Sequence, residues 1–173
     1  MVDEEKSYEK VRTALINLFK DDYQLLHINA SERSISHKLA EHLQKEFVEH
    51  KVDCEYNRHG EEPKRMNFVD VGEIAQDDRE GKTVYPDIIV HRRGNDDDNL
   101  LVIEIKKSNS RSGKEQDLSK LTKFTGKQFS YKIGLFLSFD VTKKCVHEVR
   151  CFRNGKEEKD TIWTNLKELG YAM

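Results

Sequence analysis

Apolar positions recur at helical spacing in two N-terminal segments. Over residues 5–20, Val11, Leu15, Ile16, Leu18 and Phe19 approximate one apolar stripe, and Asp21-Asp22 closes it. A second helix is predicted from Ser31, a good N-cap, to about His50, with Ile35, Leu39, Leu43, Phe47 and Val48 on its apolar side. Glu32 opens that helix, where the helix dipole favours a carboxylate. Loose alternation over 52–58 predicts a first strand. Residues 59–82 are polar, contain Gly60, Pro63, Gly72 and Gly81, and read as a long loop with a short edge strand or turn near 68–71. Loops of that length are uncommon unless they are functional or mobile.

The second half of the chain changes period. Residues 84–93, centred on Ile88, Ile89 and Val90, and residues 100–107 read as strands separated by the turn-forming run Gly94 to Asn99. They are predicted to pair as an antiparallel hairpin whose register places Asp87 opposite Lys106 and Val90 opposite Ile103. Leu118, Leu121 and Phe124 predict a helix over 115–125. Residues 132–140 read as a buried strand and 144–153 as another. Asn154-Gly155 is a turn, and 161–169 forms a last short helix. A hairpin followed by a helical crossover into a further strand predicts a mixed sheet flanked by helices. No repeat or second domain is visible, so residues 1–173 are expected to form one domain.

Composition narrows the function classes. Charged residues make up 36% of the chain, as many as the hydrophobic ones, which predicts a compact core under a heavily charged surface. No apolar run is long enough for a transmembrane helix, so no membrane role is expected. The acidic start has no apolar secretory core. Three widely spaced cysteines give neither a disulfide framework nor a paired zinc motif, and a reducing cytoplasm fits them best. The net charge of -2 excludes a generally basic nucleic-acid coat. The charge is nevertheless segregated: residues 104–132 hold eight Lys or Arg against three acids, which points to a polyanionic partner.

One constellation carries chemistry. Glu104 and Lys106 lie two apart on a strand and project to one face, while Ile105 faces the other. The hairpin brings Asp87 to the same end. A carboxylate in an apolar strand is costly unless paired or metal-bound, so Glu104 stands out. Two carboxylates with open positions suit Mg²⁺, which polarises a phosphate and lowers the pKa of bound water. A neighbouring ammonium positions the water or stabilises developing charge. Phosphodiester hydrolysis is the chemistry that follows.

Pro86-Asp87 followed after sixteen residues by Glu104-Ile105-Lys106 resembles the motif of the PD-(D/E)xK nuclease superfamily, and the resemblance spans residues 31–140. Within it the chain looks most like small bacterial members of unassigned function. The stretches Glu55-Tyr56-Asn57-Arg58, Pro63-Lys64-Arg65 and Tyr85 to His91 contribute to that likeness. The resemblance implies a three-layer α/β/α fold of the restriction-endonuclease-like type, with a central mixed sheet of four to five strands. It implies a Mg²⁺ (or Mn²⁺) site made by Glu32, Asp87 and Glu104, with Lys106 completing the catalytic group. Gln116 and Lys120 follow the motif strand at positions where related nucleases place phosphate-facing residues. Arg58 and Arg65, beside the long loop, and Lys114, Lys120 and Lys123, in the basic segment, are the nucleic-acid contacts it suggests. DNA ranks ahead of RNA as the expected partner, and duplex cleavage would favour a homodimer.

Other features read blandly. The aspartates 96–98 suit a solvated turn, Lys107 a structural or surface position, and Trp163 the core. No histidine pair, GxSxG, GxxxxGK[ST] or GxGxxG supports zinc hydrolysis, serine catalysis or nucleotide binding. Two rival readings stay open: a catalytically silent nuclease-fold module that binds nucleic acid or a partner, and an interaction domain in which the basic segment is incidental.

Overall fold

The computed structural model describes residues 4–56, 58–59, 62–63, 65–66, 82–94, 96–110, 112–159, 162–167 and 169–170. Helix α1 (Glu4–Asp21) buries Val11, Leu15, Leu18 and Phe19 of the expected stripe, with Ala14 beside them, while Ile16, also expected there, is only partly buried. A five-residue helix, α2 (Tyr23–His27), follows the aspartates and was not expected. Helix α3 (Glu32–Glu46) starts where its cap predicts: the Ser31 hydroxyl accepts the Ser34 amide at 3.2 Å. It stops before His50. Phe47 leaves helical dihedrals at φ -98° and ψ 58°, so it turns into the core while Val48 stands 75% exposed. Val48 is therefore not part of the apolar stripe.

Strands β1 (Lys51–Cys54), β6 (Ile88–His91), β7 (Leu101–Lys107), β8 (Ile133–Asp140), β9 (Cys145–Arg153) and β10 (Lys156–Glu158) form one mixed sheet in the order β1-β6-β7-β8-β9-β10. Among the described residues the only parallel pair is β7–β8, and helix α4 (Lys114–Thr125) supplies its crossover. The sheet has six strands where four to five were expected. The addition is β10, three polar residues returned by the Asn154-Gly155 turn, whose φ angles are both positive (49° and 73°).

The described residues of the polar segment after β1, expected in a loop, include the short pairs β2 (Arg58–His59) with β3 (Glu62–Pro63) and β4 (Arg65–Met66) with β5 (Lys82–Thr83). The turn or strand expected near 68–71 lies outside the described residues. The aspartate turn is a 3-10 turn, η1 (Asp96–Asp98), and the C-terminal helix is a second one, η2 (Ile162–Leu166).

Alternation along the strands divides the core. Ile88, Val90, Leu101, Ile103, Ile105, Leu135 and Leu137 pack with α1, α3 and η2. Ile89, Val102 and Phe136 pack with Leu118, Leu121 and Phe124 of α4. Each of these large side chains, fully buried, contributes about 1.5–3 kcal/mol of transfer free energy. Trp163 is fully buried, edge-on to Tyr8 at 5.8 Å, with its indole N–H donating to Glu4 at 3.0 Å. It is a packing residue, as its sequence context suggests. Among the described residues no helix is long and apolar enough to cross a membrane.

Candidate functional site

The end of the β6–β7 hairpin remote from its turn builds the site. The register pairs Ile88 with Ile103 and Val90 with Leu101, two residues away from the predicted alignment. An even shift leaves every side chain on its predicted face. Asp87, next along, therefore lies beside Glu104 rather than opposite Lys106. Because β6 begins at Ile88, the amides of Ile105 and Lys107 on that edge of β7 meet no strand partner. Carboxylates take them instead. Asp87 Oδ2 accepts the Ile105 amide at 2.7 Å, and Glu32 Oε1 accepts the Lys107 amide at 2.8 Å. The cap at Ser31 holds Glu32 at the first position of α3, directly against the end of β7.

Helix α4 closes the site from the other face. Asp117 and Lys120, three residues apart, point at β7. Lys106 Nζ is 2.8 Å from Asp117 Oδ2 and 3.8 Å from Glu32 Oε2. Lys120 Nζ lies 2.5 Å from Glu104 Oε2 and 3.1 Å from Asp117 Oδ1. Glu104 is fully buried, and its Oε1 has no hydrogen-bond partner. Four carboxylates (Glu32, Asp87, Glu104 and Asp117) thus face two ammonium groups in one cluster.

Burial and crowding perturb these groups. Burial, reinforced by Asp117 and Glu32, pushes the Asp87 carboxyl up to about 6 against the Ile105 amide and Lys120. Burial and the neighbouring Asp87 hold Glu104 well above the ordinary carboxylate range, with Lys120 opposing them. For Lys106, burial favours the neutral amine, but Asp117 and Glu32 outweigh it and raise the pKa. Lys120 is raised in the same way by Glu104 and Asp117. Both lysines are therefore charged donors, suited to stabilising negative charge and unsuited to accepting a proton. With every carboxylate ionised the cluster carries two excess negative charges, the charge of one divalent cation. Among the described residues no three His, Cys, Asp or Glu side chains stand ready as metal ligands; Lys106 and Lys120 lie on the carboxylates instead.

Glu32, Asp87, Glu104 and Lys106, all expected from the sequence, come together here. Lys120, expected at a phosphate, is instead turned inward onto Glu104. Lys114 donates to Glu148 at 2.7 Å, Lys123 sits partly buried in the last turn of α4, and Gln116 is exposed in its first turn. Arg58 and Arg65 have their backbones in β2 and β4, and their side chains lie outside the described residues. Lys107 donates to Asn29 and Ala30, and Lys132 to Asp98. Lys106, Lys107, Lys114, Lys120 and Lys132 of the basic segment are thus engaged by their own chain. The residue that sequence reasoning missed is Asp117. Its trace was present, because an aspartate four before Leu121 falls on the apolar side of α4, and it is indeed only 7% exposed.

No protein-family model matches the chain, and no curated protein matches it significantly.

Proposed function

We propose that this chain is a metal-dependent nuclease that hydrolyses phosphodiester bonds, with DNA ahead of RNA as substrate, on a three-layer restriction-endonuclease-like domain. The observation that supports it most is the fully buried Glu104, with one oxygen unpartnered, beside Asp87 and Glu32 at the end of β7. Glu32, Asp87 and Glu104 would hold Mg²⁺ or Mn²⁺. An oxygen-only donor set suits these ions. When bound, the ion supplies Lewis-acid polarisation of the phosphate and a water of lowered pKa.

The chain's own residues supply the rest. Lys106, fixed as an ammonium by Asp117, offers its remaining N–H donors to a phosphate oxygen and to the charge that grows on it. The Ile105 and Lys107 amides hold Asp87 and Glu32 without using a side chain. Asp117 keeps both lysines beside the carboxylates. Exposed Gln116 and the partly buried Lys123 remain candidates for contact with the strand, with Lys114, Arg58 and Arg65. A cytoplasmic homodimer, each site cutting one strand, is the assembly this reading favours.

The engagement of Lys120 with Glu104 favours a second reading, a silent nuclease-fold module whose former metal position is filled by an ammonium. One experiment separates them. Linear and supercoiled DNA, single strands and RNA are incubated with the full chain in Mg²⁺, in Mn²⁺ and in chelator, alongside Glu104→Gln and Lys106→Ala. Metal-dependent cleavage lost in both variants, with folding retained, supports the enzyme. Wild-type cleavage by Glu104→Gln overturns it. Salt-dependent binding without cleavage by any form supports the silent module.

A further inference from the structure

Glu104 is held by a contact that can be given up. It is fully buried on β7, a strand enclosed between β6 and β8, so it has nowhere to go. Its Oε1 makes no hydrogen bond, and an orphaned oxygen of this kind is costly in a protein interior. Among the described residues, the ion-pair partner of Glu104 is the Lys120 ammonium, 2.5 Å from Oε2. That ammonium leaves Oε1 unserved.

Lys120 is placed differently. It comes from α4, and its side chain keeps 17% of its surface exposed, whereas that of Glu104 keeps none. It also has a second carboxylate on its own helix: Asp117 Oδ1 lies 3.1 Å away, three residues earlier. A lysine on a flexible four-carbon stem can keep that contact in more than one rotamer. Leaving Glu104 would therefore strand the ammonium neither from a counter-charge nor from water. Lys106 is not poised in the same way. Its close partner is Asp117 at 2.8 Å, and Glu32 stands 3.8 Å off. Glu32 and Asp87 each give one oxygen to a main-chain amide and keep the other for a cation.

We propose that Lys120 is an exchangeable internal cation. It sits on the Glu104 oxygen that a divalent ion would take, yields that oxygen when the ion binds, and falls back on Asp117. The inference rests on the metal reading of the site and adds its regulation. The chain sets its own metal affinity low, because only the fraction of molecules with Lys120 withdrawn is competent to bind.

The test reads binding rather than cleavage. Wild type and Lys120→Met, both as the full chain, are titrated with Mn²⁺, the free ion being followed by electron paramagnetic resonance. Wild type is also titrated with Mg²⁺ while the lysine ammonium and ε-methylene signals are followed by NMR. Wild type should bind saturably, and its Lys120 signals should shift in step with Mg²⁺ as the ammonium protons lose the protection of the ion pair. Lys120→Met should bind Mn²⁺ at least about tenfold more tightly. In chelator it should melt below wild type, because Glu104 is left unpaired, and Mn²⁺ should raise its melting temperature by more. The NMR arm needs only wild type and stands even where the variant does not fold. Three results would each overturn the proposal: Mn²⁺ affinity unchanged or weaker in Lys120→Met, Lys120 signals unmoved at Mg²⁺ saturation, and no saturation of wild type by about 10 mM metal, which makes the ammonium a fixed occupant. Failure of the nuclease reading looks different: Lys120 exchanges for metal, yet wild type cleaves no nucleic acid.

Discussion

Asp87→Asn should make the metal-free protein more stable at neutral pH. The wild-type carboxyl is pushed from 3.8 up to about 6, chiefly by burial and then by Asp117 and Glu32. Its folded pKa lies above its unfolded one, so its contribution to stability is complete below about pH 4 and is lost as pH rises through 6. Two pH units of displacement correspond to about 3 kcal/mol, and solvent at the partly exposed carboxylate trims this toward about 2 kcal/mol. The amide of the variant is nearly isosteric, still accepts the Ile105 N–H through its oxygen, and carries no charge. The assay is urea unfolding of both proteins in chelator at pH 4 and pH 7.5. The variant should match wild type at the lower pH and exceed it by about 2 kcal/mol at the higher one. A gap that is equal at the two pH values, or a variant less stable at pH 7.5, would refute the claim that Asp87 is held ionised at a cost.

Two further predictions concern glycines. Gly113 has φ +87°, and a Cβ there would lie 3.0 Å from Lys106 Nζ. Gly113→Ala should cost only about 1 kcal/mol in urea unfolding, while displacing Lys106 from Asp117 and abolishing any metal-stimulated cleavage measured in parallel. At Gly134 a Cβ would meet Thr125 Cγ2 at 2.8 Å and Phe152 Cβ at 3.2 Å. Gly134→Ala should lose about 1–3 kcal/mol, and adding Thr125→Ser, which removes Cγ2 but keeps the hydroxyl, should restore part of it. Additive losses in the double variant would exclude that contact as the cause.

Much of the architecture was legible because long periodic segments announce themselves. The stripe of α1, the Ser31 cap and the apolar runs of β7 and β8 each have one satisfactory solution. Short elements were not legible. The five residues of α2 and the all-polar β10 carry no periodic signal, and β10 exists only because the Asn-Gly turn returns it onto β9. Val48 was misplaced because spacing cannot locate where Phe47 leaves the helix. In the site, Asp87, Glu104 and Lys106 were readable from strand parity, and parity survived a register that slipped by two. The inward turn of Lys120 was not readable. It depends on how α4 settles across β7, a tertiary fact that sixteen residues of separation do not encode locally.

The two carboxylates that replace a missing strand along β7 have a consequence for how this protein can change. Asp87 and Glu32 are fastened to main-chain amides at residues 105 and 107, and every residue except proline provides such an amide. The anchoring is therefore blind to the identity of the side chains at those positions. Ile105 answers only to the packing beneath it, and Lys107 only to its contacts with Asn29 and Ala30. Substitutions can accumulate there while the acids keep their places. Descendants of such a chain could drift far apart in sequence around an unaltered set of charged groups.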